Sequence, residues 1–503
     1  MSDATSDRAL AGAPRPGEAS EQFRWPAERP SVPPTAAPER GTSVERWGAR
    51  LALAAGLAAS LAIVLAPQPQ GLSVAGQRGG AIFVLCTTLW VTHAIPFGVT
   101  GLLAVALLPL SGAMSAADAF ASFGNSAVFF LIGVFILGGA LVESGLSKRS
   151  ALLFLRRFEG SPYAFANGMM LAAAFGTIWM PNQATTAMLF PIAVEVALAL
   201  RLVPRESGYA KTLFLSLAWG AMVGSNASFL GSTRAALALG LLRSKYGAGI
   251  SFLQWSVAAI PMVVLALAVA PLILRWLLPR EVVSFRAARD LLEAQVREMG
   301  PLNRRQWTVA GIAILTIAGW VVFGDRIDLA VIALLGAAAL FASGALSWEE
   351  AERRIFWNIV LMYGGAIALG AVIERTGAAE WLIGRYAHGL QAAPLVAIAL
   401  VLLGSLLLSE FMSNAAAVAV MLPLAFGLGD ALGVSPTALT LATTIGAGLD
   451  FALPFSSAPN TIAFSSGYLR MSDVLKAGTV MTIASVLVVL LVAWLWWPIL
   501  GVI

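Results

Sequence analysis

The feature that most constrains the fold is a succession of apolar runs, each near the ~20 residues that a helix needs to cross about 30 Å of hydrocarbon. These runs recur from Trp47 to the C-terminus and are separated by short polar loops. Of the 503 residues, 58% are apolar and only 12% are charged, which excludes a soluble multidomain protein. Because lipid offers no partners to backbone polar groups, such runs must form helices. The sequence therefore predicts an all-α polytopic protein of the lipid bilayer.

Eleven runs are predicted to cross the membrane. They are residues 47–66, 79–95, 99–111, 128–142, 213–242, 252–278, 307–323, 329–343, 359–373, 439–468 and 474–503. Two further stretches, 164–200 and 392–428, are too long for one helix and carry polar residues at their centres. Broken helices at membrane depth are tolerated only where they are buried in protein or line a cavity. Each of these two stretches therefore predicts a re-entrant helical hairpin.

Basic residues predict the orientation. With a cytoplasmic N-terminus, most loops rich in Lys and Arg also fall on the cytoplasmic side, including the linker 280–306. Residues 1–45 are rich in Pro, Ala, Glu and Arg and lack an apolar run. This composition is typical of a disordered tail and not of a signal peptide. The predicted location is the cell or inner membrane, with a cytoplasmic tail.

Few side chains are available for covalent or metal chemistry. The single cysteine, Cys86, excludes an intramolecular disulfide and a cysteine-based metal site. The two histidines, His93 and His388, cannot form an HExxH zinc helix, and no lysine lies in a GxxxxGK[ST] phosphate loop. The net charge of +5 reflects loop arginines and not a basic face, so nucleic acid is not an expected partner. The sequence predicts neither a metalloprotease nor an ATP-driven pump.

The chain repeats itself at an offset of 232 residues. The motif SGAMS at 111–115 recurs as SGALS at 343–347, and MPN at 180–182 recurs as MSN at 412–414. The offset spans five predicted crossings and one hairpin. Because five is odd, the two copies are predicted to have opposite orientations. An inverted repeat of this kind is the architecture of secondary transporters.

The most informative polar residues are Asn182 and Asn414, at the centres of the two hairpin stretches. An unwound hairpin tip offers helix dipoles and free N–H groups to an anion, and freed carbonyls and asparagine oxygens to a small cation. A single intramembrane asparagine more often caps a helix or joins neighbouring ones. The occurrence of both asparagines at equivalent positions of the repeat favours a ligand site.

A polar break also interrupts the span that follows each hairpin. Gly231 in the first copy and Pro459 in the second fit poorly into continuous helix. Kinks of this type are common in membrane helices that have no function at the kink. The adjacent charges of Arg234 and Asp450 are costly in a bilayer, however, and favour a functional interpretation.

Several segments together resemble a known family. They are the paired hairpin asparagines, LWVTHAIP at 89–96, FWNIVLMYGG at 356–365 and LPFSSAPNT at 453–461. They resemble the divalent anion:sodium symporter family, which includes sodium-coupled di- and tricarboxylate and sulfate transporters. The resemblance covers approximately residues 47–503. It implies a homodimer of elevator-type transporters with eleven spans and two re-entrant hairpins.

The resemblance also implies ligand-binding residues. The family's Ser-Asn-Thr motif at each hairpin tip reads PNQ at 181–183 and SNA at 413–415, so both threonines are absent. Its Gly-Thr-Pro-Pro-Asn loop reads GSTRA at 231–235 and SSAPN at 456–460, and its glutamate before Ala-Ile-Pro is His93. The implied sodium sites are Thr177, Asn182 and Gly231 in the first copy, and Ser409, Asn414 and Ser456 in the second. The implied substrate contacts are Asn182, Gln183, Thr185, Arg234, Ser413, Asn414, Ala415 and Ala458.

Arg234 occupies the position of the family's second proline, and three interpretations are open. It replaces one sodium as a fixed cation and pairs with a substrate carboxylate, or it is neutralised by an acid such as Asp450 or Glu410. The third interpretation is an arginine that extends along apolar surface to the membrane boundary.

The implied function is secondary active transport of a small organic anion, a di- or tricarboxylate, coupled to sodium. One alternative keeps the fold but makes the protein a sodium-independent or proton-coupled anion exchanger, with sulfate among its substrates. Another is a membrane enzyme or channel, against which the missing metal and nucleophile motifs and the two opposed hairpins count. The predicted organisation is a tail (1–45), the first helix and first-repeat scaffold (46–160), the first hairpin and transport helices (161–279), a cytoplasmic linker (280–306), the second-repeat scaffold (307–390), and the second hairpin and transport helices (391–503).

Overall fold

A computed structural model describes residues 43–247, 249–386 and 393–503. Every regular secondary-structure element within these ranges is a helix. The first eleven α-helices are α1 (Ser43–Leu65), α2 (Val74–Thr92), α3 (Phe97–Leu110), α4 (Ala116–Ala121), α5 (Ser126–Glu143), α6 (Leu146–Leu155), α7 (Pro162–Gly176), α8 (Asn182–Ala199), α9 (Gly208–Gly224), α10 (Thr233–Tyr246) and α11 (Phe252–Leu277). The others are α12 (Arg286–Glu298), α13 (Arg304–Phe323), α14 (Leu329–Ala342), α15 (Trp348–Glu352), α16 (Trp357–Arg375), α17 (Ala378–Tyr386), α18 (Pro394–Phe411), α19 (Asn414–Leu432), α20 (Pro436–Gly446), α21 (Ala458–Ser465) and α22 (Met471–Leu495).

The prediction of an all-α protein with membrane-spanning helices is confirmed as far as the type, length and composition of the helices are concerned. Within the described ranges, eight helical segments are long and apolar enough to cross a membrane, and α3, α14 and the apolar part of α1 are shorter apolar helices. The number of actual crossings stays a prediction. Most of the predicted tail, and His388, lie outside the described residues.

Both predicted hairpin stretches form two helices that pack against each other. The first consists of α7 and α8, joined by residues 177–181, and the second consists of α18 and α19, joined by two residues. The two predicted breaks are also present. Residues 225–232 separate α9 from α10, and residues 447–457 separate α20 from α21. Pro459 lies in the first turn of α21, where its missing N–H removes no helical hydrogen bond.

The repeat is visible in the helix boundaries. Helices α3, α4, α6, α7 and α8 begin 232 positions before α14, α15, α17, α18 and α19. The turns obey the same offset, since Gly112 and Gly344 have φ of 73° and 67°. Both adopt the left-handed conformation that glycine accepts at no steric cost. The two copies therefore fold alike over the whole stretch that the sequence motifs cover.

The copies exchange partners where they meet. Helix α3 of the first copy packs against α16 of the second, and α14 of the second packs against α5 of the first. An inverted repeat predicts this exchange. At the α3–α16 contact, a Cβ added to Gly365 would overlap the Cα of Gly101. The equivalent contact between α5 and α14 brings Gly133 against Ala333.

Several short helices were not predicted, and α12 is the most informative of them. It lies in the linker 280–306, which the sequence interpretation left without regular structure. Most of its residues are polar or charged, but one short apolar side carries Ala288 and Leu292, which are buried. Helix α12 packs against α6 and α8, so this part of the linker is anchored beside the first hairpin.

We expect Gly365→Ala to destabilise the protein because the added methyl group would push α16 away from α3. Overpacking of this kind typically costs about 1–3 kcal/mol. The measurement is the unfolding temperature of the purified protein in detergent, with Gly80→Ala on α2 as the control, because a Cβ at Gly80 meets nothing within 4 Å. Equal unfolding temperatures for the two variants would contradict the close helix contact.

Candidate substrate and cation site

The two hairpin tips place an asparagine at the same structural position. Asn182 is the first residue of α8, and Asn414 is the first residue of α19. The Ser413 hydroxyl accepts a hydrogen bond from the N–H of Ala416 and caps α19. The equivalent residue of the first copy is Pro181, which has no hydroxyl to offer. Each tip therefore presents a helix N-terminus and an amide side chain beside it.

In the first copy, the three residues of the implied sodium site lie together. The Asn182 N–H donates to the carbonyl of Gly231 over 3.0 Å. A Cβ at Gly231 would overlap the carbonyl oxygen of Thr177, so only glycine permits this approach. The Ser228 hydroxyl donates to the Ile178 carbonyl over 2.7 Å and ties the break to the hairpin tip. The predicted grouping is thus present, while its occupancy by sodium stays a prediction.

In the second copy, the hydrogen bonds converge on Asp450. The Asn414 side-chain amide donates to Asp450 Oδ1 over 3.1 Å. The Ser456 hydroxyl and the Asn460 amide donate to the Asp450 backbone carbonyl over 2.6 Å and 3.1 Å. Asn414 and Ser456 are thereby linked through Asp450. Ser409 bonds instead to the Leu406 carbonyl of its own helix over 2.9 Å.

A second acid anchors the same break. Glu410 lies at the end of α18, and its two carboxylate oxygens accept hydrogen bonds from the N–H groups of Ala452 and Leu453 over 3.3 Å and 3.2 Å. Both oxygens of Glu410 are therefore satisfied by backbone. This arrangement fixes the unwound segment between α20 and α21 against the second hairpin.

Arg234 is buried, with 3% of its surface exposed. Its Nε donates to the Thr444 carbonyl over 2.8 Å, and Nη2 donates to Asn226 Oδ1 over 2.8 Å and to the Ser225 hydroxyl over 3.4 Å. The guanidinium thus reaches from the first copy to α20 of the second. The interpretation as an arginine that extends to the membrane boundary is wrong, because the side chain ends between two protein segments and not at a surface.

No carboxylate in the described ranges forms a salt bridge with Arg234. Asp450 is nevertheless close enough to attract its charge electrostatically. All hydrogen bonds of the guanidinium involve Nε and Nη2 and go to neutral oxygens, which leaves Nη1 without a partner in this part of the chain. Such a charge is expensive to bury and marks a site where an anion is expected.

The remaining residues that were predicted to contact the substrate differ in their exposure. Thr185 and Ala415 are buried, Gln183 and Ser413 are half-buried, and Ala458 is exposed at the start of α21. The Thr185 hydroxyl is buried without a hydrogen-bond partner among the described residues. His93, by contrast, is an exposed residue at the end of α2 and packs edge-on against Phe97.

Sequence reasoning missed three contributors. Asn226 binds the guanidinium with its side-chain oxygen, and its own amide donates to the last carbonyls of α9, those of Met222 and Val223. Asn460 holds the Asp450 carbonyl, and Tyr363 of α16 donates to the Thr233 carbonyl at the start of α10. Asn226 and Asn460 are both buried within the breaks, and their position inside predicted membrane spans was the one sequence signal that could have identified them.

Comparison with known proteins decides the family. Residues 48–503 match the model described as "Sodium:sulfate symporter transmembrane region". The chain belongs to this family. The match spans nearly all the residues that the structure describes. It is thus an integral multi-pass membrane protein of a transporter family.

Individual relatives agree with this assignment. The sodium-dependent dicarboxylate transporter SdcS of Staphylococcus saprophyticus is 25% identical over 461 residues, which cover 86% of this chain and 89% of that protein. SdcS of Staphylococcus aureus is 25% identical over 459 residues, with coverage of 86% and 88%. Among solved structures, the YdaH transporter of Alcanivorax borkumensis superposes with a TM-score of 0.52 at 16% identity, over 91% of this chain and 98% of that one. This last likeness concerns the fold alone.

We expect Gly448→Ala to lower the unfolding temperature, because a Cβ at Gly448 would overlap Arg234 Nη2. The guanidinium would have to leave the Thr444 carbonyl and the Asn226 oxygen, and hydrogen bonds from a charged group are worth about 1.5–3 kcal/mol each. In an Arg234→Ala background the same substitution should be nearly neutral. The measurement is a double-mutant cycle on the detergent-solubilised protein, and an equal cost in both backgrounds would contradict the contact.

Proposed function

We propose that this protein is a secondary active transporter that carries a small organic dianion, a di- or tricarboxylate, together with sodium. The observation that carries the proposal is the pair of asparagines at the two hairpin tips, each joined to the break of its own copy. Family membership and the dicarboxylate transporters among the relatives support the same substrate class. The coupled cation then neutralises part of the anion's charge within a site of low dielectric constant.

The proposed architecture has eleven crossings, two re-entrant hairpins and a cytoplasmic N-terminus, and works as a homodimer by an elevator-type movement. Its support is the inverted repeat, the six of the eight long apolar helices in the described ranges that coincide with predicted spans, and the basic linker 280–306. The other two long apolar helices, α18 and α19, form the second predicted hairpin. In this scheme the hairpins and interrupted helices move as the transport part, and the helices around α3, α5, α14 and α16 form the scaffold.

The proposed substrate site lies where the two tips meet the breaks. The N-termini of α8 and α19 provide N–H groups for carboxylate oxygens. Asn182 and Asn414 orient the substrate, and the unpartnered Thr185 hydroxyl supplies a further hydrogen bond. Sodium binds at Thr177, Asn182 and Gly231 or at Ser409, Asn414 and Ser456. The close grouping of the first set and the link between Asn414 and Ser456 support this assignment.

Arg234 replaces one of these sodium ions as a fixed cation in the proposed mechanism. A positive charge about 5 Å from a sodium ion would oppose its binding by several kcal/mol at an effective dielectric constant near 20. Within the described ranges, Nη1 of Arg234 has no hydrogen-bond partner, and no carboxylate bonds directly to the guanidinium. Both observations support a direct pair with the substrate's carboxylate. The protein would then use fewer sodium ions per substrate than a relative without the arginine.

The same arginine favours a second candidate function, sodium-independent or weakly sodium-dependent exchange. The charge of an arginine stays on the protein in every step of the transport cycle, whereas a sodium ion dissociates after it has been carried across. Without substrate, the buried guanidinium would have to cross the membrane uncompensated, which is costly. The empty carrier would therefore return slowly, and exchange of one anion for another would be faster than net transport.

Uptake of labelled succinate into proteoliposomes tests the proposed function. An inward sodium gradient should accelerate uptake relative to choline, and unlabelled dicarboxylates should compete. Uptake that needs an internal anion and ignores sodium would instead establish the exchanger. Failure of every dicarboxylate, with competition by sulfate, would overturn the substrate class.

We expect Asn182→Ala and Asn414→Ala each to reduce succinate uptake more than about tenfold, since each amide contributes to substrate and cation binding at once. Both variants should still be extracted as folded protein, as checked by size-exclusion chromatography. Thr308→Ala on α13, a half-buried residue whose hydroxyl donates only to the Arg304 carbonyl of its own helix, is the control. Wild-type uptake by both asparagine variants would show that the tips do not bind the substrate.

We expect Arg234→Ala to weaken succinate binding by about tenfold or more and to steepen the dependence on sodium, because a sodium ion can then occupy the vacated position. Arg234→Lys keeps the charge but loses the planar fork, so its affinity should fall between those of wild type and Arg234→Ala. Initial uptake rates at varied succinate and sodium concentrations give both quantities. Unchanged affinity and unchanged sodium dependence would assign the arginine a structural role.

A further inference from the structure

Asp450 is a fully buried acid, with 0% of its surface exposed, in the unwound segment between α20 and α21. Its backbone carbonyl is held by Ser456 and Asn460, as described above. Its Oδ1 accepts the Asn414 amide. Its Oδ2 is buried and has no hydrogen-bond partner among the described residues. Orphaned buried polar atoms are rare in native proteins, and each one requires an explanation.

A second orphaned oxygen belongs to the neighbouring asparagine. Asn460 is 3% exposed, and its amide nitrogen donates to the carbonyls of Asp450 and Leu453 over 3.1 Å and 3.2 Å. Its Oδ1 is buried without a partner in the described part of the chain. Two unsatisfied oxygens, one of them on a carboxylate, therefore belong to residues that are hydrogen-bonded to each other.

The surroundings favour a cation over a hydrogen-bond donor from the protein. No basic side chain in the described ranges forms an ion pair with Asp450, and the nearby acid Glu410 uses both its oxygens on backbone N–H groups. The nearest fixed positive charge, Arg234, is committed to Thr444 and Asn226. Arg234 is close enough to Asp450 for electrostatic attraction, but it donates no hydrogen bond to the carboxylate. Oδ2 therefore still lacks a direct partner among the described residues, and a buried polar atom without a partner is costly.

We propose that Asp450 and Asn460 bind a sodium ion through Asp450 Oδ2 and Asn460 Oδ1, and so provide the second-copy cation site with a carboxylate ligand. This inference rests on the proposed function, since it specifies how the coupled cation is held. All the donors are oxygens, the ligand type that hard cations prefer. The carboxylate gives the site a full negative charge, which a set of hydroxyl, amide and carbonyl oxygens does not have.

The two copies are unequal at this position. The breaks align at an offset of 225 residues, which equates the helix-capping positions Ser232 and Ser457. At that offset the residue equivalent to Asp450 is Ser225, whose hydroxyl accepts from Arg234. The first copy thus has the guanidinium of Arg234 beside the neutral hydroxyl of Ser225, and the second has the carboxyl group of Asp450 at the equivalent position. Sodium binds at the second copy and is replaced by the guanidinium at the first.

The test measures sodium binding without transport. The full-length protein is purified in detergent, and its unfolding temperature is recorded as sodium chloride replaces choline chloride at constant ionic strength. Ligand that binds only the folded protein raises the unfolding temperature. We expect Asp450→Asn, which keeps the shape and the contact with Asn414, to weaken apparent sodium affinity about tenfold or more.

Glu410→Gln is the matched control because it also neutralises a buried acid at the same break. Both oxygens of Glu410 are already satisfied, so this variant should be less stable overall and still show the sodium-dependent shift. Asn460→Ala removes the other orphaned oxygen and should weaken sodium binding in the same direction. It also carries the test if Asp450→Asn does not fold.

The possible negative results distinguish the carboxylate ligand from sodium coupling itself. A normal sodium shift in Asp450→Asn and Asn460→Ala, with a lost shift in Asn414→Ala, would overturn the carboxylate ligand and leave sodium-coupled transport in place. A wild-type protein that is stabilised by succinate but never by sodium would overturn sodium coupling and this inference together. A shift that follows pH and not sodium would also overturn it, because the ligand would then be a proton.

Discussion

Every interrupted helix in this protein has to satisfy backbone groups at a depth where lipid offers no partner, and that constraint organises the centre of the molecule. Side chains of the breaks and hairpins meet it. Ser228 holds the Ile178 carbonyl, Glu410 accepts from Ala452 and Leu453, and Ser456 holds the Asp450 carbonyl. Each hydrogen bond joins a hairpin to a break or closes a break on itself. The side chains that make the unwound segments possible thus lie beside, and in the case of Ser456 within, the proposed cation sites.

Opposite buried charges distinguish the two copies. Arg234, beside the first break, and Asp450, in the second, are both buried ionisable side chains. They attract each other electrostatically without a direct hydrogen bond, and Asp450 Oδ2 has no hydrogen-bond partner among the described residues. An approximately symmetrical scaffold therefore supports an asymmetrical pair of sites. The asymmetry originates in single positions of an otherwise repeated chain, since a serine stands where the second copy has its acid.

Much of this arrangement was predictable from the sequence, and the reasons are specific. The long apolar runs predicted the helices. The asparagines at positions 182 and 414 predicted the hairpin tips, because a polar residue inside a long apolar stretch has few structural explanations. The contact between Arg234 and Thr444 could not be predicted, since it joins residues 210 positions apart through the packing of α10 on α20. The role of Asn460 was hidden for a similar reason. Its amide nitrogen donates to two carbonyls while its oxygen is buried without a partner among the described residues, and only the geometry distinguishes the two ends of the side chain.

Helix α12 shows a different limit. A short amphipathic segment among charged residues resembles a flexible linker in composition, and its helix is stabilised by burial of Ala288 and Leu292 against neighbours that the sequence does not reveal. Tertiary packing, and not local propensity, decides such cases.

The glycine contact between α3 and α16 has a mechanical consequence. Where Gly101 meets Gly365, backbone lies on backbone with no side chains between that could change rotamer to let one helix slip along the other. The related contact of Gly133 with Ala333 fixes the other end of the two-fold arrangement in the same way. Each of the two helix pairs is therefore held in one register, because sliding of one helix along the other would require the two backbones to separate.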